Sequence, residues 1–238
     1  MAASLSAGLS YLYLISTPIG NLEDITLRAL RILKEVDIIA CEDTRRTKIL
    51  LDHYSIKRPL VSFHSYNQDK MCRVLINKII SGENVAVVSD SGTPGISDPG
   101  ALLVRDAVCE NIPVIHIPGP TAFVTALVSS GLPTNGFAFL GFLPRKTGRM
   151  KKVLLNLIDI GKTIIFYESP YRIKKTLALC REVFPADTDC VVARELTKKY
   201  EEYIRGKITE VYEKINKRGK VKGELVVMLS KRRSLKND

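Results

Sequence analysis

Val85-Ala86-Val87-Val88-Ser89-Asp90-Ser91-Gly92-Thr93-Pro94-Gly95-Ile96-Ser97-Asp98-Pro99-Gly100 runs from four apolar residues straight into a loop crowded with glycine and proline. A short apolar run bounded by turn residues reads as a strand buried on both faces, the kind found in parallel sheets. Only 15 glycines and 11 prolines occur in all 238 residues, so this crowding needs a reason beyond turning a corner. Glycine lets backbone amides approach a ligand, and proline fixes the loop in advance. In open α/β sheets, ligand loops lie just past the carboxyl ends of strands. The stretch therefore predicts an α/β fold with a ligand loop after one of its strands.

Similar units lie on either side. Tyr11–Ile15, Val36–Ala40, Leu60–Phe63 and Val114–Ile117 read as further strands. Helical spacing opens at Asp24 and recurs over about Gln68–Ile80 and Gly100–Glu110. Strands alternating with helices imply a parallel-rich sheet covered on both faces. Pro118-Gly119-Pro120 is a natural hinge, followed by a helix over Thr121–Ser130. The second half again mixes strands (Phe137–Leu140, Thr163–Phe166, Cys190–Ala193, Glu224–Leu229) with helices (Pro170–Val183, Ile208–Asn216). The expected organisation is a tail over 1–10, α/β domains over 11–119 and 120–230, and a basic tail over 231–238.

Charge divides along the same line. Residues 1–119 carry 12 Lys+Arg against 13 Asp+Glu; the rest carry 24 against 12, giving the chain its net +11. Such asymmetry points to a polyanionic partner met mainly by the second half. The first twenty residues lack the Lys and Arg of a signal peptide, and no apolar run reaches the roughly 18 residues of a membrane span, so the expected location is cytoplasmic. Five scattered cysteines and three histidines, without a CxxC pair, argue against a disulfide framework or a metal site and for buried free thiols.

Three glycine or proline loops each follow a strand: Ser16–Asn21, Ser89–Gly100 and Pro118–Thr121. Neither GxxxxGK[ST] nor GxGxxG is present, which argues against a P-loop NTPase and an ordinary dinucleotide fold. Two charged clusters, Glu42-Asp43-Thr44-Arg45-Arg46 and Arg194-Glu195-Leu196-Thr197-Lys198-Lys199, also follow strands.

Taken in order, Thr17–Leu22 with Asp24-Ile25-Thr26, Glu42–Arg45, Val88–Gly100, Pro118–Ala122, Phe166–Ser169, Ala193–Lys198 and Gly223-Glu224 resemble the ribosomal small-subunit RNA methyltransferase I family. The likeness runs from about Tyr11 to Leu229. It implies the tetrapyrrole (corrin/porphyrin) methylase fold, two α/β domains with the ligand cleft between them. It further implies S-adenosylmethionine (SAM) as methyl donor, no metal, 2′-O-methylation of a cytidine ribose in 16S rRNA of the small ribosomal subunit, and a homodimer. On this sequence the donor would meet Ser89, Asp90, Gly92, Thr93 and Ile96, then Thr121, Ala122, Ala193 and Gly223. Many members of the family continue past the Gly-Glu-Leu-Val-Val strand into a helical extension, whereas this sequence ends at Asp238.

A ribose hydroxyl is a weak nucleophile helped by a nearby base. Glu42, Asp43 and Asp98 are the candidates; Asp24 reads more readily as the N-cap of its helix. RNA phosphates would be met by Arg45, Arg46 and Lys48 and by a basic loop holding Arg145, Lys146 and Arg149. Phe137, Phe139 and Phe142 near that loop read as core rather than as base-stacking rings. Two other readings are a methylase of a tetrapyrrole or other small molecule and a non-catalytic RNA-binding protein.

Overall fold

The computed structural model describes residues 10–96 and 100–231. Its chain forms two compact units, one ending at Thr121 and the next beginning at Ala122.

The first unit is built on five strands, β1 (Leu12–Ile15), β2 (Ile38–Cys41), β3 (Leu60–Ser62), β4 (Val85–Val88) and β5 (Val114–Ile117). All pair in parallel, in the order β3-β2-β4-β1-β5. Alternate side chains serve opposite faces. Leu12, Leu14, Val85 and Val87 pack on helices α3 (Gln68–Ile80) and α4 (Gly100–Cys109). Tyr13, Ile15, Ala86 and Val88 pack on α1 (Leu27–Glu35) and α2 (Thr44–His53). With helices on both faces, the central strands must be apolar throughout, and β1, β2 and β4 are buried at every position. The helix expected from Asp24 starts later. Asp24 ends a short 3-10 turn, and Thr26 caps α1 by accepting from the Ala29 amide at 3.1 Å.

The second unit holds α5 (Ala122–Val128), β6 (Phe137–Phe142), α6 (Thr147–Leu155), β7 (Thr163–Glu168), α7 (Ile173–Val183), β8 (Asp189–Arg194), β9 (Glu202–Lys207), α8 (Ile208–Asn216) and β10 (Leu225–Ser230). Its sheet, ordered β6-β7-β10-β8-β9, has one parallel pair, β6 with β7; the other pairs are antiparallel. Leu154 of α6, Ile173 and Leu177 of α7 and Val211 of α8 form a core with Phe166, Val192 and Val227 of the sheet. α5 packs against β7 and β10. Arg205 of β9 fixes the end of α5 by donating to the carbonyls of Ser129 and Ser130, at 2.6 and 3.1 Å.

Three expectations change here. The basic loop is largely helix, since α6 covers Thr147–Leu155 and leaves only Arg145 and Lys146 ahead of it. Phe137 and Phe142 are 42% and 59% exposed on edge strand β6, so neither is a core residue. Cys109 is exposed; the other four cysteines are buried free thiols.

Candidate active site

Strand order decides which loops meet. The chain leaves β2 toward β3 and leaves β4 toward β5, so the connections diverge between these adjacent parallel strands and open a crevice at their carboxyl ends, next to which the loop after β4 meets the loop after β1. Two backbone hydrogen bonds tie the loops together, Thr17 N to Gly92 O at 2.9 Å and Gly92 N to Thr17 O at 3.0 Å. The buried Thr17 hydroxyl donates to Ser89 O at 2.9 Å. A hydroxyl chain crosses all three loops. Ser16 Oγ lies 3.0 Å from Thr93 Oγ1, which lies 2.8 Å from Thr121 Oγ1.

Glycine is required at two of these positions. Gly92 sits at φ +90°, open to glycine and strained for other residues. At Gly119 the demand is space, because an added Cβ would stand 2.8 Å from the Cβ of buried Ser16. The loops therefore bring backbone groups close together and hold them rigidly.

Beside this crevice the charged residues after β2 are interlocked. Asp43 caps α2 through the Arg45 amide at 2.9 Å and takes Nε and Nη2 of the Arg45 guanidinium at 3.0 and 2.7 Å. The Arg45 guanidinium and amide hold the Asp43 carboxyl down at about 2. So depressed, it is a weak proton acceptor near neutrality. Asp90 accepts from the Asp43 amide at 3.0 Å and stands 3.6 Å from Arg46 Nη1, joining the β4 loop to the start of α2. Two hollows adjoin. One of about 220 Å³ is lined by Thr17, Pro18, Arg46, Ser89 and Asp90. The other, about 490 Å³, is lined by Glu42, Asp43, Arg46, His64, Tyr66 and Asp90. Glu42 is exposed, Ile96 is 40% exposed, and Asp98 lies outside the described residues.

In the second unit, Ala193 is buried in β8, and the chain just after it takes an unusual path. Glu195 and Thr197 have φ of 53° and 62°, rare for residues with a side chain. The Glu195 carboxylate lies where a Cβ on Gly223 would go, accepts from the Glu224 amide at 3.0 Å, and pairs with Lys198 at 3.2 Å. Burial works against its charge, but the Glu224 amide and the Lys198 ammonium outweigh it and lower its pKa. Nearby, Arg218 and Arg194 hold the Glu202 carboxyl down at about 2.

Glu168, 2% exposed, anchors another junction. It accepts from Ser169 N at 2.7 Å and Thr176 Oγ1 at 2.5 Å, and lies 3.3 Å from Arg172 Nε. Arg172 donates in turn to the carbonyls of Leu143 and Pro144, at 3.1 and 3.3 Å. Those carbonyls lead directly into exposed Arg145, Lys146 and Arg149; Arg45, Arg46 and Lys48 are exposed on the first unit. Among the described residues, no group of three His, Cys, Asp or Glu is placed to hold a metal, and no helix is long and apolar enough to cross a membrane.

Two open α/β sheets and a loop crevice at the switch point define a methylase of the tetrapyrrole type; the family model for Tetrapyrrole (Corrin/Porphyrin) Methylases matches residues 11–212. Among solved structures, the methyltransferase CobJ is similar at a TM-score of 0.71 and 17% identity, covering 94% of this chain and 96% of that one. A uroporphyrin-III C-methyl transferase from Thermus thermophilus, complexed with S-adenyl homocysteine, scores 0.66 at 18% identity over 93% of this chain and 98% of that one. At such identities the likeness is one of fold. Closer relatives carry one name, "Ribosomal RNA small subunit methyltransferase I". That from Hydrogenobaculum sp. (strain Y04AAS1) is 52% identical over 94% of this chain and 97% of its own. That from Bacillus subtilis (strain 168) is 48% identical over 92% of this chain and 74% of its own. The chain belongs to the ribosomal RNA small subunit methyltransferase I family.

Proposed function

We propose that the protein transfers a methyl group from SAM to the 2′-hydroxyl of a cytidine in 16S rRNA of the small ribosomal subunit. The observation that carries this reading is 52% identity, over 94% of the chain, to a protein of that name. The rigid backbone crevice around Thr17, Gly92 and Gly119 supports it independently of any name. When bound, SAM supplies an electrophilic methyl on a sulfonium.

The residues of this chain then have separable roles. Ser89, Asp90, Gly92, Thr93, Ile96 and Thr121 hold the donor in the first unit; Ala122, Ala193 and Gly223 contact it from the second. Methyl transfer demands above all that nucleophile and methyl group be held together, which a preset crevice favours. Of the acidic candidates, Asp43 is poorly suited to accept the hydroxyl proton, because it is committed to Arg45, and Glu42 stays a candidate. Asp98 stays a candidate on sequence grounds. Arg45, Arg46, Lys48, Arg145, Lys146 and Arg149 bind phosphates. The protein acts in the cytoplasm, where it meets the subunit, and works as a homodimer, which sedimentation would test.

The basic residues give a direct check against the tetrapyrrole reading. Each phosphate left without its cation should flatten the dependence of log K on log salt by about 0.7–0.9. A triple variant Arg145→Ala, Lys146→Ala, Arg149→Ala is expected to bind the small subunit at least tenfold more weakly at ~100 mM salt, with a flatter salt slope and unchanged SAM affinity. An unchanged slope would remove these residues from the RNA interface and favour a compact acceptor.

A further inference from the structure

The hollow of about 490 Å³ in the first unit lies within the range of about 300–1,000 Å³ typical of ligand sites. It shares Arg46 and Asp90 with the smaller hollow lined by the β1 and β4 loops, so a group seated in it lies next to whatever those loops hold. Ser62, His64, Ser65 and Tyr66 also line it, from the end of β3 and the turn that follows, which no motif above includes.

That segment is braced. Asn67 Oδ1 accepts from the His64 amide at 2.9 Å, and Asn67 Nδ2 donates to Ser62 O at 3.0 Å, so one side chain pins both ends of the turn. The turn presents two rings edge to face, His64 and Tyr66, with centroids 6.0 Å apart. Tyr66 is 97% exposed, an amphipathic ring held out from a rigid turn without packing to justify it. His64 has the opposite problem. The residue is only half-buried, yet its Nδ1 is buried without a hydrogen-bond partner. A buried nitrogen without a partner is costly to the fold. His64 lines the hollow, so a polar ligand group seated there is within reach of becoming its partner. Arg45 and Arg46 also line the hollow, their guanidiniums paired with Asp43 and Asp90. An aromatic platform, a polar ring edge and two guanidiniums are the groups that recognise an unstacked nucleotide.

We infer that this hollow is the subsite for the acceptor nucleotide. Tyr66 stacks on the base of the residue to be methylated or its neighbour, and His64 hydrogen-bonds the same nucleotide. This rests on the RNA-methylating reading above. Stacking on an aromatic side chain holds a base whatever its identity, because every base has a π-face.

The test uses the full chain, small ribosomal subunits lacking the modification, radiolabelled SAM, and the variants Tyr66→Ala, Tyr66→Phe and His64→Ala. Methyl transfer, SAM affinity by calorimetry and donor-free rRNA binding by filter retention are all measured. Tyr66→Ala is expected to raise KM for the subunit about tenfold or more, with Tyr66→Phe restoring it because the ring alone is needed. His64→Ala should lower kcat/KM about tenfold. SAM affinity should stay within about twofold throughout, which a merely misfolded variant would not satisfy. Variants with wild-type KM and kcat/KM in an active protein would overturn the subsite and leave the methylation reading intact. A wild-type protein that transfers no methyl, yet binds rRNA less tightly after Tyr66→Ala, would remove that reading and keep the subsite. Unaltered rRNA binding in such an inactive protein would remove both.

Discussion

Replacing Gly119 by alanine is expected to weaken SAM binding at least tenfold. The added methyl group would stand 2.8 Å from Ser16 Cβ, far inside van der Waals contact, and Ser16 is 1% exposed and cannot swing aside. The loops after β1 and β5 must therefore separate. Ser16 Oγ also bonds Thr93 Oγ1 at 3.0 Å, so the strain passes directly to the loop after β4. Overpacking of this kind costs about 1–3 kcal/mol. Because the crowded atoms are in the crevice itself, we expect much of that cost to appear as lower affinity by calorimetry and the rest as a lower Tm. Gly219 is the control: a Cβ there meets nothing within 4 Å, and Gly219→Ala should leave SAM binding unchanged. Wild-type affinity in Gly119→Ala would mean that the donor does not use these loops.

Glu168→Ala should be the most destabilising single substitution in the second unit, by about 3–5 kcal/mol, because it removes one partner of a buried ion pair. Three donors lose their acceptor at once: the Ser169 amide, the Thr176 hydroxyl and the Arg172 guanidinium. Thr176 is fully buried and has no route to water. Arg172 also holds the carbonyls of Leu143 and Pro144, so the segment entering Arg145 and Lys146 should loosen as well. Urea denaturation measures the first effect, and the salt slope of rRNA binding measures the second. A stability loss below about 1 kcal/mol would show that these donors find other partners.

The first unit was readable from sequence because each central strand is apolar at every position, the pattern a strand shows when helices cover both faces. Its strands and α3 and α4 lie where the alternating pattern puts them, and loops after parallel strands gather at one edge whatever the strand order. The hydroxyl chain from Ser16 through Thr93 to Thr121 was not readable. It exists only because β1 lies between β4 and β5, and side-chain periodicity carries no information on strand order.

The second unit concealed more. Edge strand β9, Glu-Tyr-Ile-Arg-Gly-Lys, carries charges at three of its six positions, which suits an unprotected edge and hides the strand from a hydrophobicity reading. α6 was hidden by Gly148 near its start and by the lack of a capping side chain, so its lysines and arginines read as a loop. β6 misled in the other direction, because its three phenylalanines look like core although two of them face solvent at an edge. At the charged cluster after β2, the residues were visible but their pairing was not. Only the folded chain joins Asp43 to Arg45. His64 and Tyr66 belong to no ordered motif; an aromatic and a histidine in a polar turn just after a strand were the available signal.

The most direct test of the central claim is to incubate the protein with radiolabelled SAM and small ribosomal subunits lacking the modification, then digest the rRNA to nucleosides and locate the label. The predicted result is label on the ribose 2′-oxygen of a cytidine, with incorporation falling steeply as salt is raised. A folded protein that binds SAM but transfers no methyl to the subunit, or that places it on a base, would contradict the account.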